Sequence, residues 1–346
     1  MLVDEPDLPG RRDRHHALSQ RLAALDDGGL AALLDAPPAP GFGGAVATAT
    51  VGGVPMFVKF VPLSDLERQH AGSTANLFGL PMFYQYGIGS AGFGAWREIA
   101  VHDMTTRWVL DGLYDAFPLV YHWRVVPYRP VPMDPAEMDR WVAHWDGDAA
   151  VRGRLEAISG ASAAVVVFME HVAQTVDAWL TDRVAAGGAI ADEAFGFVRT
   201  HLRDGVDFMR SQGLTHFDAH FRNLLTDGRR IYFADFGLAL HSGFDLDDAG
   251  RDFARGHRDY DHGQTAGHFS QWLVSNLAGV PWPRTHAFLR EHADNLAGTG
   301  LPASAVDVIA ANAPVSAVMG RFVEELWSTS KRTPFPAGEL AKALRA

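Results

Sequence analysis

Between Leu214 and Leu240 the chain reads LTHFDAHFRNLLTDGRRIYFADFGLAL, and this stretch constrains the fold more than any other. His216, Asp218, His220 and Asn223 spell H-x-D-x-H-x-x-N, and Asp235, Phe236 and Gly237 spell D-F-G. Between the motifs, NLLTD, a turn at Asp227 and Gly228, and the apolar run IYFA predict a hairpin of two short strands. Such a hairpin folds Asn223 and Asp235 back towards one another.

These residue types suit phosphoryl transfer, which needs a carboxylate near the attacking hydroxyl and oxygen ligands for Mg²⁺ on the ATP phosphates. Asp218 fits the first role, with His216 and His220 flanking it as further candidate catalytic groups. Asn223, five residues on, offers an amide oxygen to a metal, and Asp235 offers a carboxylate.

HFDAHFRN followed by ADFG resembles the catalytic loop and metal-binding motif of the protein-kinase-like superfamily, closest to its aminoglycoside and choline phosphotransferase branch. The resemblance implies an α+β fold of two lobes, a small β-rich N-lobe and a mostly helical C-lobe, with ATP and Mg²⁺ as cofactors. A eukaryotic-type protein kinase usually has lysine where His220 stands, and an A-P-E motif that is missing here. Instead SGFDLDDAGRDF moves quickly into a helix, with Ser242 or Asp245 as its cap.

The 346 residues suffice for two lobes, and 47% hydrophobic with 21% charged is ordinary globular composition. A formal charge of −11 argues against a nucleic-acid partner and is compatible with a cationic acceptor. With no cysteine there is neither a disulfide framework nor a thiolate metal site. The N-terminus carries acids before its bases and no apolar core, unlike a signal peptide, and the apolar run around Ala163 to Met169 is too short for a membrane span. These features predict a cytoplasmic protein without membrane contact.

Residues 1–40 read as an N-terminal extension of two short amphipathic helices closed by the proline-rich DAPPAP. In GFGGAVATATVGGVPMFVKFV, Gly41, Gly43 and Gly44 precede one strand and MFVKFV forms the next. The glycine turn suits either phosphate contact or an ordinary hairpin, and no strand is evident before it. Lys59 stands inside an apolar strand of a chain whose only other lysines are Lys331 and Lys342, with arginine supplying the remaining basic charge. That economy suggests a use for a compact ammonium.

By the resemblance Lys59 holds the ATP phosphates and pairs with a helical glutamate. Glu98, on AWREIAVHDMTTRWVL, is preferred to Glu67, which follows Lys59 by only eight residues. Gly87, Gly89 and Gly92 satisfy G-x-G-x-x-G but lack the flanking strand–helix units of a dinucleotide fold, leaving either a segment that closes over nucleotide or a connecting loop. Residues 112–162, strands broken by prolines and then helix, exceed what a minimal small lobe needs and read as an insertion that could bind a partner.

ASAAVVVFM then predicts a buried strand that ends the N-lobe, taken as 41–169, and opens the C-lobe, 170–346. The resemblance makes Glu170 and His171 the adenine-binding hinge. A long helix through Phe195, Val198, Leu202, Val206 and Met209 ends at Gly213. His257, Arg258 and Asp259 spell a decoy H-R-D with Gln264 in place of asparagine, and the aspartates from Asp245 to Asp261 read as a solvated face in preference to an acceptor site for a cation.

The expected activity is transfer of the γ-phosphoryl group of Mg·ATP to a hydroxyl, on a small-molecule acceptor such as an amino sugar or amino alcohol. A Ser/Thr peptide of modified-peptide biosynthesis is the alternative acceptor. A non-catalytic kinase-like scaffold is the alternative class, which the joint presence of Lys59, Asp218, Asn223 and Asp235 disfavours.

Overall fold

The computed structural model describes residues 8–34, 38–41 and 44–345; Gly43 of the candidate glycine turn and residues 35–37 of the proline stretch lie outside them. With 54% helix and 15% strand the chain is α+β. It divides into two compact units, Met1–Ala173 with Ala234–Gly250, and Gln174–Phe233 with Arg251–Ala346.

The first unit opens with the two expected helices, α1 (Leu8–Ala23) and α2 (Asp27–Ala31), followed by strands β1 (Ala39–Gly41), β2 (Gly44–Val51) and β3 (Val54–Leu63). Helices α3 (Asp65–Gln69) and α4 (Ala95–Leu110), strand β4 (Val120–Pro127), helices α5 (Pro135–His144) and α6 (Ala149–Ser159), and strand β5 (Ala163–Glu170) complete it. The five strands form one antiparallel sheet in the order β1-β2-β3-β5-β4.

The pleat explains how this sheet carries a lysine. Side chains along a strand alternate faces, and Phe57, Val61 and Leu63 of β3 pack with Ala95, Trp96 and Ile99 of α4. Lys59 shares their parity and so faces α4. β5 is buried at every position, in keeping with its unbroken AAVVVFM and its place between β3 and β4.

Two sequence expectations change here. A strand does precede the glycine turn: β1 pairs with β2 through Ala39–Val46, Pro40–Ala45 and Gly41–Gly44. Proline obscures it in the sequence, yet on an edge strand it leaves no ladder bond unmade. Residues 112–162 are not wholly an insertion, because β4 is an integral strand paired along β5; only α5 and α6 lie beyond the sheet.

The second unit begins with β6 (Gln174–Thr175), α7 (Val176–Ala186), α8 (Gly188–Ser211), β7 (Leu214–Thr215), β8 (Leu224–Thr226) and β9 (Ile231–Phe233). The predicted hairpin forms as β8 and β9, with Gly228 at φ 80° in its turn. α8 buries Phe195, Val198, Leu202, Val206 and Met209, the stripe read from the sequence. Gly205 on the same helix lets the ring of Phe233 approach so closely that an added Cβ would stand 2.1 Å from it.

Beyond the D-F-G come α9 (Asp248–Gly256), α10 (Tyr260–Leu277), α11 (Thr285–Glu291), α12 (Ala303–Ser328) and α13 (Ala337–Ala343). The α9 cap is neither Ser242 nor Asp245: Asp247 Oδ1 accepts the Gly250 amide at 2.7 Å, directly before the first helical turn. Among the described residues α12 is long and apolar enough, by length and composition alone, to cross a bilayer, a property that buried core helices share. It lies against α10, with Asn312 donating to Ala266 O and Met319 packed on Gly263.

Candidate functional site

In the first unit, Lys59 Nζ donates to Asp235 Oδ1 at 2.6 Å and ion-pairs with Glu98 Oε1 at 2.7 Å. Burial alone would depress the lysine pKa, but Asp235 and Glu98 outweigh it and raise Lys59 above its ordinary value. Burial would likewise raise Glu98, and the Lys59 ammonium reverses this, holding the carboxyl below the usual range. His102, one turn on, sits 3.7 Å from the same Glu98 oxygen. Glu98 is 5% exposed and Asp235 48%, so one carboxylate is structural and the other open to solvent.

Glu67 is excluded by its partners rather than by lack of room. α3 starts directly after β3 on a Ser64–Glu67 capping box, and the Glu67 carboxylate is taken up by Ser64, the Ala95 amide and Arg154 at 2.8 Å.

The glycine segment before α4 abuts the D-F-G itself. Gly92 stands at φ 71°, and an added Cβ would lie 2.3 Å from the Gly237 carbonyl oxygen. Gln85 donates to the Leu238 carbonyl. This segment therefore braces 237–238 rather than being free to close over a ligand. Asp235 has φ 62°, a left-handed conformation that costs about 1–3 kcal/mol in a non-glycine residue and persists only where its surroundings enforce it.

In the second unit, Asn223 Nδ2 donates to Asp218 Oδ2 at 2.9 Å and to Asp218 O at 3.1 Å. This fixes the amide orientation, so the Asn223 oxygen is the atom left for a cation. His220 Nε2 lies 3.8 Å from Asp218 Oδ1. His216 is fully buried, and its Nδ1 accepts the Asp218 amide at 3.3 Å, which makes it a support of the loop rather than a group in contact with substrate.

The loop holding Asp218 is gripped from α10 by three side chains that the sequence reading missed. Asp261 accepts the His216 and Phe217 amides at 2.6 and 3.0 Å. Gln264 accepts from Ala219 N at 3.0 Å and donates to Phe217 O at 3.1 Å, while His268 Nε2 accepts the Phe221 amide at 3.2 Å. Phe217, thus held on both its N–H and its carbonyl, is left-handed at φ 64°.

Burial pushes Asp261 up to about 6 against the pull of the two amides, so the aspartate read as part of a solvated face is a core residue. Burial also lowers His268 to about 3, keeping its ring neutral and able to accept. The spacing 261, 264, 268 puts all three on one helix face, the signal by which they were findable. The decoy H-R-D resolves separately: burial lowers His257 to about 4, and Asp259 pairs with Arg210 at 2.7 Å.

At the end of β5, Glu170 is spent internally. Arg11 forks onto its carboxylate at 3.0 and 2.7 Å, the Leu119 amide donates to it at 3.0 Å, and the Glu170 amide donates to Leu119 O at 2.8 Å. Neither its carboxylate nor its N–H remains for adenine. His171 follows, half-buried. Gly41 of β1 pairs with Gly44 of β2, and a Cβ on Gly44 would meet the Phe60 carbonyl at 2.2 Å, so packing against β3 already requires that glycine.

Among the described residues no group of three or more His, Asp or Glu side chains is gathered as a metal site. No family model matches the chain, and no curated protein does.

Proposed function

We propose that the chain is a cytoplasmic ATP-dependent phosphotransferase with the bilobal protein-kinase-like fold, acting on a hydroxyl of a small molecule. The observation that carries this reading is the Lys59 bridge between Glu98 and Asp235, because a half-buried ammonium held by one structural and one solvent-open carboxylate is prepared for an anionic ligand. Glu98 fixes the position of the ammonium, which meets the phosphates. Asp218, oriented by Asn223, accepts the hydrogen bond of the acceptor hydroxyl and then its proton as the acceptor oxygen bonds to the γ-phosphorus and the bond from that phosphorus to the bridging oxygen breaks, releasing ADP.

The donors suit Mg²⁺, a hard cation that takes oxygen ligands: the exposed Asp235 carboxylate in the first unit and the Asn223 amide oxygen in the second would each offer one. Bound there, Mg²⁺ would supply neutralisation of phosphate charge. The acidic chain, at −11, favours a cationic acceptor such as an amino sugar or amino alcohol over a polyanion.

Radiolabelled ATP offered with hydroxyl compounds and with Ser/Thr peptides tests the assignment. Label is expected on a small molecule, and label on peptide alone overturns the acceptor class. Asp218→Ala is expected to abolish turnover while Mg·ATP still raises the melting temperature; full turnover in that variant removes Asp218 from its role.

A further inference from the structure

Two features that the phosphotransferase reading leaves unused meet in one cavity of the first unit: the glycine segment 87–94 and the helices of 112–162. The cavity measures about 350 Å³, within the range of small-molecule sites, and is walled by Trp141, Tyr128, Met133, Leu155 and Ile158. Its wall is built to a fixed shape. Gly89, at φ 102°, lets the backbone lie so close to the Trp141 indole that an added Cβ would stand 2.2 Å from the ring. Beside it, His144 and Trp145 at the end of α5 hydrogen-bond the carbonyls of Ile88 and Gly89.

One acidic group enters this apolar surface. Glu137 lines the cavity half-buried, and its carboxylate meets no ion-pair or hydrogen-bond partner among the described residues. Arg129, also on the wall, is exposed, so water satisfies its charge. A partly desolvated carboxylate beside aromatic faces selects a cation with an apolar body, since ring faces and carboxylate both attract positive charge.

We propose that this cavity is a binding site for a small amphipathic amine, its protonated nitrogen on Glu137 and its aliphatic or aromatic body against Trp141 and Tyr128. Gly44 and Ala45, which begin β2, also line the cavity, so an occupant lies beside the start of that strand.

Calorimetric titration of the whole chain with 4-phenylbutylamine, 4-phenylbutanol and 4-phenylbutyrate tests the assignment without reference to catalysis. The amine is expected to bind about ten-fold more tightly than the alcohol, and the acid more weakly than either. In Glu137→Gln the amine falls to the affinity of the alcohol, whose own binding is unchanged, and in Glu137→Arg the order of amine and acid reverses. Both substitutions stand at a partly exposed position without a partner to lose, so the fold survives them. Equal binding of amine and alcohol to the native chain, an undiminished amine preference in Glu137→Gln, or no binding of any probe at millimolar concentration overturns the proposal.

Discussion

Asp261 offers a direct test of how the loop around Asp218 is held, because burial and hydrogen bonding pull its ionisation in opposite directions. Burial disfavours the carboxylate, whereas the His216 and Phe217 amides favour it, and burial wins, raising the group from 3.8 to about 6. A group whose folded pKa is raised takes up its proton first in the native state, so its stabilising contribution is complete below 3.8 and is lost as pH climbs through about 6. The gap between 3.8 and 6, at about 1.36 kcal/mol per pH unit, amounts to about 3 kcal/mol.

Asparagine at this position cannot titrate. The stability of the native chain minus that of Asp261→Asn, from urea denaturation across acid to neutral pH, should therefore fall by about 3 kcal/mol over that range. Taking the difference cancels His257 and His268, which titrate in both proteins and whose lowered values, about 4 and about 3, destabilise each as pH drops below 6.5. A difference that stays flat would show that the two amides balance burial, and one that rises with pH that they outweigh it; either would refute the reasoning.

Two further substitutions probe the other braces. Gly92→Ala adds a carbon 2.3 Å from the Gly237 carbonyl at a left-handed position, and should cost about 2 kcal/mol and abolish the Mg·ATP thermal shift; an unchanged melting temperature and shift would mean that 237–238 is not braced there. Arg11→Met leaves the Glu170 carboxylate buried without its cation, and should cost about 3–5 kcal/mol in denaturation, most of it recovered in Arg11→Met with Glu170→Leu. A double variant no more stable than the single one would assign the loss to the hydrogen bonds from Arg11 to the Asp115 and Phe117 carbonyls instead.

How much of this was legible in the sequence depended on whether a feature is local. The placing of Lys59 inside an apolar strand rests on that strand alone, and the stripe of α8 is a property of a single helix; both emerged intact. The preference for Glu98 over Glu67 matched the ion pair, though for a partly mistaken reason: a helix does begin by Glu67, whose carboxylate is claimed by Arg154, 87 residues away. The grip of α10 on the loop was missed because it joins residues some 45 apart, and the backbone amides that Asp261 binds leave no trace in side-chain identity. Without that pairing, Asp261 resembled its solvated neighbours. β1 was hidden because APG has turn composition, and only its edge position reconciles proline with a strand.

The scarcity of lysine gives the Lys59 bridge a practical consequence. Amine-directed acylating reagents find three lysine side chains in this protein: Lys342 is exposed, and Lys331 is buried with its ammonium donating to Leu326 O. Lys59, clasped by two carboxylates that keep its proton on, is a poor nucleophile for as long as both stay in place. Mass-spectrometric labelling of the Lys59 peptide, scaled against Lys342, thus becomes a built-in gauge of whether that clasp is closed.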